Sequence, residues 1–379
     1  MSSEADVLRA RRMLDDMQSK LTESRRMIEE TQQQCATAIG ASASIDAQWK
    51  AIQDKFSLVM ATAIGQLSTA FAAQLDVSAD EKLDSEDRVK QSAAVLAAKI
   101  RAANGKTIVF TGAGISTASG IADYRSGMET SAPAGPGAWT IEAMEKTTDS
   151  AIAKPKLGAR RNVERLEEAK PSFTHRALTE LVRRGLVSQV ISQNIDGLHR
   201  KSGLAPSALI ELHGNAFIEL CRRCDAHGGL PKAYERSFPV YHTTLTAVGD
   251  PTFVPVESCK QSCARHFSER CHCTGRACTD CGEALTHSIV HFGESLRADV
   301  VEAAWAAATA AELCIVLGSS CRVAPASNLP ASVAQHGDLA MINLQLTGLD
   351  RLCSVRVHTT CDTAMRAVLS DLGINPDRV

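Results

Sequence analysis

The sequence predicts an α/β protein: a parallel sheet covered on both faces, a small cysteine-rich module and an N-terminal helical arm. Three observations carry that prediction. Short apolar runs at 107–110, 187–191, 313–317 and 339–343 are separated by helical periodicity, and strands alternating with helices build parallel sheets. Eight of the 13 cysteines lie within residues 221–281. The first 80 residues carry apolar side chains at heptad spacing, as helices paired along a seam do.

In the arm, Val7, Leu14, Leu21 and Ile28 recur every seven residues, with Ala10 and Met17 near the intervening seam positions. After a break at 40–44, Ile45, Trp49, Ile52, Phe56, Val59, Ala63, Leu67 and Ala70 alternate steps of four and three. Ser44 is placed to cap that second helix. The arm reads as a coiled coil or helical hairpin. Two uses fit it: oligomerisation or partner docking, and packing on the domain that follows.

An acidic polar stretch at 78–87 serves as a linker. Val89, Ala93, Leu96 and Ile100 then form a helical stripe, Asn104-Gly105 ends it, and a buried strand starts at Thr107. Residues 225–270 scatter Pro, Gly, Cys and His without period, and read as an inserted loop.

Composition narrows the function classes. With 379 residues, 44% apolar and 22% charged, the chain is neither disordered nor short of core. A formal charge of −2 argues against a surface coated for nucleic acid. Aromatics at 4% make base-stacking platforms an unsuitable reading. No stretch reaches the roughly 18 apolar residues of a membrane span. The polar, acidic first residues do not resemble a secretory signal, so the thiols are expected in a reducing compartment, free or bound to metal.

Cys221-x-x-Cys224 and Cys278-x-x-Cys281 are two short knuckles. Four thiolates enclose one tetrahedral Zn²⁺, and a closed four-sulfur site is structural because no position is left for water. The 53 residues between the pairs (225–277) hold Cys259, Cys263, Cys271, Cys273, His266 and His272. One zinc on Cys221, Cys224, Cys278 and Cys281 is the expectation. A second metal in the insertion, a ligand exchange with Cys271 or Cys273, and unligated thiols stay open.

The first strand runs into Thr111-Gly112-Ala113-Gly114-Ile115-Ser116-Thr117-Ala118-Ser119-Gly120. Glycines there let backbone N–H groups approach a pyrophosphate at a helix N-terminus. Without a third glycine at the usual spacing, a tight strand–helix turn explains the segment equally well. Gly120-Ile121-Ala122-Asp123-Tyr124-Arg125 then adds an acid and a guanidinium, and Gly135-Pro136-Gly137-Ala138-Trp139-Thr140 follows.

These segments resemble the sirtuin family of NAD-dependent protein deacylases. The resemblance continues through Lys170-Pro171-Ser172-Phe173-Thr174-His175, Ser192-Gln193-Asn194-Ile195-Asp196-Gly197-Leu198-His199, Glu211-Leu212-His213-Gly214-Asn215, Gly318-Ser319-Ser320 and Asn343-Leu344-Gln345. It spans roughly residues 85–374. Gly-Ala-Trp-Thr at 137–140, His-Arg-Lys-Ser-Gly-Leu at 199–204 and Ile-Val-His-Phe-Gly-Glu at 289–294 resemble the nuclear, chromatin-directed class IV branch. Two departures stand out: Ala122 occupies a position where family members carry proline, and about eight residues are inserted at 126–133. Both fall on the loop that covers the cofactor in relatives, and put its affinity and closure in question.

The resemblance implies a Rossmann-type sheet from residues about 85–215 and 285–374, with a zinc module and long insertion at about 216–284. It implies NAD held by Gly112, Ala113, Gly114, Ser116, Thr117, Asp123, Tyr124, Arg125 and Trp139. Gln193, Asn194, Ile195 and Asp196 face the ribose and nicotinamide, with Asp196 on the carboxamide. Gly318, Ser319 and Ser320 meet phosphate and ribose. Asn343, Leu344 and Gln345 face the adenosine half, and Cys361 lies against adenine or is a plain buried thiol. His213 is the implied general base, supported by Asn194 and Asp196, while His175 and His199 fit core positions. An acyl-lysine peptide is expected to pair with two segments, through Val290, Phe292, Gly293, Glu294, Arg322 and Val323.

The implied activity is NAD-dependent removal of acetyl or longer acyl groups from protein lysines, histone tails among them, yielding nicotinamide and O-acyl-ADP-ribose. Mono-ADP-ribosyl transfer to protein is the alternative reaction. A non-catalytic zinc and helical chromatin scaffold is the alternative outside enzymes, and the presence of Asp123, Arg125, Asn194, Asp196 and His213 argues against it. The branch implies a nuclear location, with cytoplasm the alternative. Arg11-Arg12, Arg25-Arg26 and Arg160-Arg161 are too short to act as basic signals.

Overall fold

The computed structural model describes residues 81–124, 166–227, 230–240, 272–291 and 293–379. The helical arm at 1–80, the insertion at 126–133, and Arg125, Trp139 and Phe292 lie outside the described residues, as do Cys259, Cys263, His266 and Cys271.

Six parallel strands form the main sheet: β1 (Thr107–Thr111), β2 (Gln189–Ser192), β3 (Leu209–Glu211), β8 (Leu313–Leu317), β9 (Asp338–Ile342) and β10 (Val355–Val357). Their spatial order is β10-β9-β8-β1-β2-β3. The chain builds outward one way from β1, then crosses back and builds the other way. That doubly wound order leaves a crevice where the strands β1 and β8 diverge at their C-terminal ends, which is where such folds bind ligands. The Rossmann-type reading is therefore the observed architecture.

Alternation along each strand feeds two cores. Val109, Val190, Ile315, Ala340 and Ile342 point to one face, and Ile108, Phe110, Ile191, Cys314, Val316 and Met341 to the other. Helices α1 (Glu86–Ala102), α2 (Phe173–Arg183) and α6 (Cys361–Asp371) cover the first face. Helices α4 (Ala298–Ala310) and α5 (Asn328–Val333) cover the second; α3 (Leu198–Lys201) is a single turn after β2. Because both faces are covered, β1 and β8 are buried along their whole length, which is why they read as unbroken apolar runs.

The helix α1 buries Val89, Ala93, Leu96, Ala97 and Ile100, the stripe its sequence predicts. Ser85 caps it by accepting from the Arg88 amide, with Glu86 and Asp87 in the first turn and Lys99 and Arg101 in the last. Those charges oppose the helix dipole at both ends. α2 starts in a reciprocal box: the Ser172 hydroxyl accepts from the His175 amide, and His175 Nδ1 accepts from the Ser172 amide.

His175 and His199 are core residues, with ring centres 4.8 Å apart. His199 Nε2 lies 3.0 Å from the Thr111 hydroxyl. Burial pushes each imidazole down to about 3. The unfolded chain takes up these protons near 6.5, while the folded chain refuses them until about 3. Folding stability therefore falls as pH drops below about 6.5, by about 2 kcal/mol per histidine at pH 5. Thermal melts are expected to show a clear loss of Tm between pH 7 and pH 5, reduced in His199→Gln. Equal melting temperatures at the two pH values would contradict these assignments.

Between β3 and β8 the chain builds a second, antiparallel sheet in the order β5-β4-β7-β6. Its strands are β4 (Ile218–His227), β5 (Leu230–Glu235), β6 (Cys273–Ala277) and β7 (Ala284–His287). β5 corrects the sequence expectation of a loop across 225–270. Pairing with the long β4 supplies the order that local periodicity does not show. Glu219 is fully buried beneath this sheet, accepting from Arg276 Nε at 2.6 Å and Arg236 Nε at 2.7 Å. A buried carboxylate needs such paired donors.

Candidate functional site

The glycine turn and the end of β8 interlock. The Gly112 amide donates to Leu317 O at 3.0 Å and the Gly114 amide to Gly318 O at 2.9 Å. A Cβ at Gly112 would lie 2.7 Å from Gly318 O, and one at Gly114 2.7 Å from Gly318 Cα. Gly318 itself has φ +59°, and a Cβ there would sit 2.6 Å from the Ile115 nitrogen. All three obstacles are backbone, so no rotamer change relieves them. This close approach opens the crevice predicted by the strand order.

A cavity of about 310 Å³ fills it. Gly112, Ala113, Gly114, Asp123 and Tyr124 line it from the first turn, and Gln193, Asn194 and Ile195 from the loop after β2. His213 follows β3, Gly318, Ser319 and Ser320 follow β8, and Asn343 and Gln345 follow β9. The far wall is Val290, Gly293, Glu294 and Val323. A smaller hollow beside it is lined by Thr117, Leu344 and Cys361, and shares Gly114, Asp123, Gly318, Asn343 and Gln345.

The loop after β2 is locked by side chains. Gln193 Nε2 donates to the Ser319 hydroxyl at 2.7 Å, and Asn194 Nδ2 donates to Gly112 O at 3.1 Å. These bonds tie three strand ends into one wall. Asp196 is not among the lining residues. Its Oδ2 accepts from the Ser116 hydroxyl at 2.6 Å and its Oδ1 from the Leu198 amide at 2.9 Å. Both Asp196 and Ser116 are buried behind the wall. Arg322 is exposed and lies outside the cavity lining.

His213 Nδ1 lies 2.9 Å from Gln193 O. A carbonyl only accepts, so Nδ1 carries the proton and Nε2 of the neutral ring keeps its lone pair. Burial lowers the imidazole below its ordinary range, against the opposing pull of the Gln193 carbonyl. His213 is thus a neutral proton acceptor at neutral pH.

Cys221, Cys224, Cys278 and Cys281 converge as the two-knuckle reading predicts. Cys221 Sγ is 3.5 Å from Cys281 Sγ, and Cys224 Sγ is 3.7 Å from Cys278 Sγ. Sulfurs about 2.3 Å from one tetrahedral centre stand about 3.8 Å apart. The donor set and spacing fit a structural zinc. Cys273 begins β6 and is not part of this cluster. Cys361 opens α6 with its thiol pushed up to about 12 by burial, an unreactive wall residue of the smaller hollow.

His291 and Ala324 line the cavity within the two segments expected to flank the peptide, while the motif reading missed Ile289, Leu296 and Pro325 as lining residues. Ile289 and Pro325 adjoin those segments, and adjacency was the available signal. Leu296 carries none.

Residues 112–325, more than half of the chain, match the Sir2 family model. The chain belongs to the Sir2 family. This Sir2 protein is 34% identical over 310 residues to human "NAD-dependent protein deacetylase sirtuin-7", covering 78% of this chain and 63% of that one. It is 31% identical over 300 residues to "NAD-dependent protein deacetylase Sirt6" of Drosophila melanogaster, covering 79% and 80%. "NAD-dependent protein deacetylase 1" of Geobacillus kaustophilus is 31% identical over 267 residues, with 68% and 89% covered. The match thus spans under two thirds of the sirtuin-7 relatives' own length. Among solved structures, "Sir2 bound to acetylated peptide" aligns with 71% of this chain and 94% of that chain at 28% identity and a TM-score of 0.47.

Proposed function

We propose that this Sir2 protein removes acyl groups from protein lysines at the expense of NAD. The observation that carries the reading is the cavity at the switch point, where the glycine turn, the Gln193–Asn194 loop and neutral His213 meet. Its volume of about 310 Å³ is at the lower end of the range for ligand sites. The wall fits a dinucleotide: the close-packed glycine turn at 112–114 and the Gly318–Ser320 segment on the phosphate side, and Asn343 and Gln345 on the adenosine side. When bound there, NAD would supply the ADP-ribosyl group that accepts the acyl oxygen, with nicotinamide as the leaving group.

The chain's own residues do the rest. Gln193 and Asn194, braced on Ser319 and Gly112, hold the ribose side and exclude water. His213 Nε2 accepts the proton of a ribose hydroxyl, its ring oriented by Gln193 O. Ser116 and Leu198 fix Asp196, and through it the backbone of the 193–196 loop. Val290, Gly293, Glu294 and Val323 form the two edges between which an extended acyl-lysine peptide lies, main chain giving affinity. Arg125, Trp139 and Phe292 complete the proposed site by resemblance, and the zinc cluster holds the small sheet that carries the peptide wall.

Histone tails are the proposed protein substrates and the nucleus the proposed location, on the resemblance of segments 137–140, 199–204 and 289–294 to the chromatin-directed branch. The arm at 1–80 is proposed to engage a second copy or a partner helix, on its heptad pattern. A panel of acyl-lysine peptides of increasing chain length, incubated with and without NAD, tests the reaction by mass spectrometry. Loss of acyl mass only with NAD supports it. A gain of ADP-ribose mass on protein marks mono-ADP-ribosyl transfer instead, and no NAD-dependent change would overturn both.

A further inference from the structure

A second group of metal-ligating side chains lies at the end of β6 opposite the four cysteines. His272 precedes β6, His287 ends β7 and His291 follows four residues later. Antiparallel pairing sets the first two side by side: the His287 amide donates to His272 O at 2.8 Å. The ring centres of His272, His287 and His291 are 4.4, 5.2 and 5.4 Å apart, and one nitrogen from each lies within 4.8 Å of the others. β6 has five residues, so the two groups are about 17 Å apart and share no ligand.

Glu294 fixes the chemistry of the first ring. His272 Nε2 lies 2.9 Å from Glu294 Oε1 and 3.0 Å from Oε2. A carboxylate only accepts, so Nε2 carries the proton and the lone pair is on Nδ1. That Nδ1 is buried and has no hydrogen-bond partner among the described residues. A buried acceptor without a donor is destabilising, unless something else meets it. A histidine whose Nε2–H is held by a carboxylate, with a buried unpartnered Nδ1 and two further imidazoles beside its ring, is the arrangement of a metal ligand with its supporting carboxylate. The Glu294 Oε2 atom also accepts from the His291 amide at 2.9 Å, so one carboxylate orients two of the three candidates.

We propose that His272, His287 and His291 bind a divalent first-row transition ion, zinc or a near relative, with Glu294 as its supporting carboxylate. Three neutral imidazoles select such ions over calcium and magnesium, which take oxygen ligands. The three nitrogens, within 4.8 Å of one another, close by up to about 1.4 Å around an ion bound at about 2.0–2.1 Å. A fourth position is left for water or a ligand. His291 and Glu294 also line the main cavity, so an ion here ties the proposed peptide wall to the small sheet. An ion binds here whether or not the proposed reaction takes place.

The test uses the purified full chain with its thiolate site filled with zinc, titrated with Co²⁺. One further equivalent is expected to bind, giving ligand-field absorption without thiolate-to-cobalt charge transfer. His287→Asn is expected to abolish that equivalent while the thiolate zinc, counted by elemental analysis, stays at one per chain. Glu294→Gln is expected to weaken it about 10–100-fold. If His287→Asn does not fold, His272→Gln serves, its side chain being nearer the surface. No second equivalent in the native chain would overturn the proposal. So would one that survives both histidine variants, or one showing thiolate charge transfer, which would place it on the cysteines of the insertion.

Discussion

Replacing His213 with alanine is expected to cut turnover by about 10²–10⁴-fold, the range for loss of a positioned general base. NAD binding should stay within about threefold. The expectation rests on geometry: Gln193 O holds the Nδ1 proton, so the ring offers only Nε2 to the cavity. Removing the imidazole leaves the Gln193–Ser319 and Asn194–Gly112 bonds in place, and with them the proposed ribose wall. The pH profile gives an independent readout. Burial lowers the His213 pKa, so its neutral, base-competent form persists below the ordinary 6.5. The rate constant kcat/KM should be flat near neutrality and fall only as pH drops through this lowered value. An acid limb centred at or above 6.5, or full turnover in His213→Ala, would remove His213 from the role.

Stripping zinc, or replacing Cys281 with serine, is expected to unfold the small sheet and abolish activity. Among the described residues, the apolar core of that sheet holds little beyond Cys221, Cys278 and Leu285, with Cys224, Tyr234 and Cys281 against it. So small a core does not sustain a fold alone, whereas a structural zinc contributes about 10–16 kcal/mol of folding free energy in small domains. The six-stranded sheet has its own two cores and should persist. Circular dichroism with a strong chelator should therefore show partial loss of strand signal and a separate, later melt. Activity should fail at the first step, because β7 runs directly into the 288–294 wall of the cavity. Complete zinc removal without change in melting or turnover would refute a structural metal.

The main sheet was legible because its strands are buried on both faces. The run at 313–317 coincides with β8, and 339–343 is displaced by one residue from β9. The glycine turn was legible as a turn. Its purpose was not, since the atoms that forbid a Cβ at Gly112 and Gly114 belong to Gly318, some 200 residues later. The same physics hid β5, whose order comes from β4 and not from its own alternation. It also hid the histidine trio, three isolated residues until strand pairing joins them. Asp196 shows the converse limit. Motif resemblance marks it for the ligand, and only the fold shows the Ser116 hydroxyl and Leu198 amide that hold its carboxylate.

The small sheet leaves and re-enters the main fold at a single point. The Ser288 hydroxyl bonds both the amide and the carbonyl of Asn215, each at 2.9 Å, and the Val290 amide donates to His213 O at 2.9 Å. A chain segment clasped at its two ends behaves as a cassette. Its interior can lengthen with only a logarithmic loop-closure cost, which accounts for 53 residues between the knuckles where a short ribbon would serve. The clasp closes on the backbone of the proposed base itself. Exchanging the whole cassette at 216–287 between relatives would therefore change what borders the proposed peptide wall while leaving that wall and the proposed proton acceptor seated in their frame.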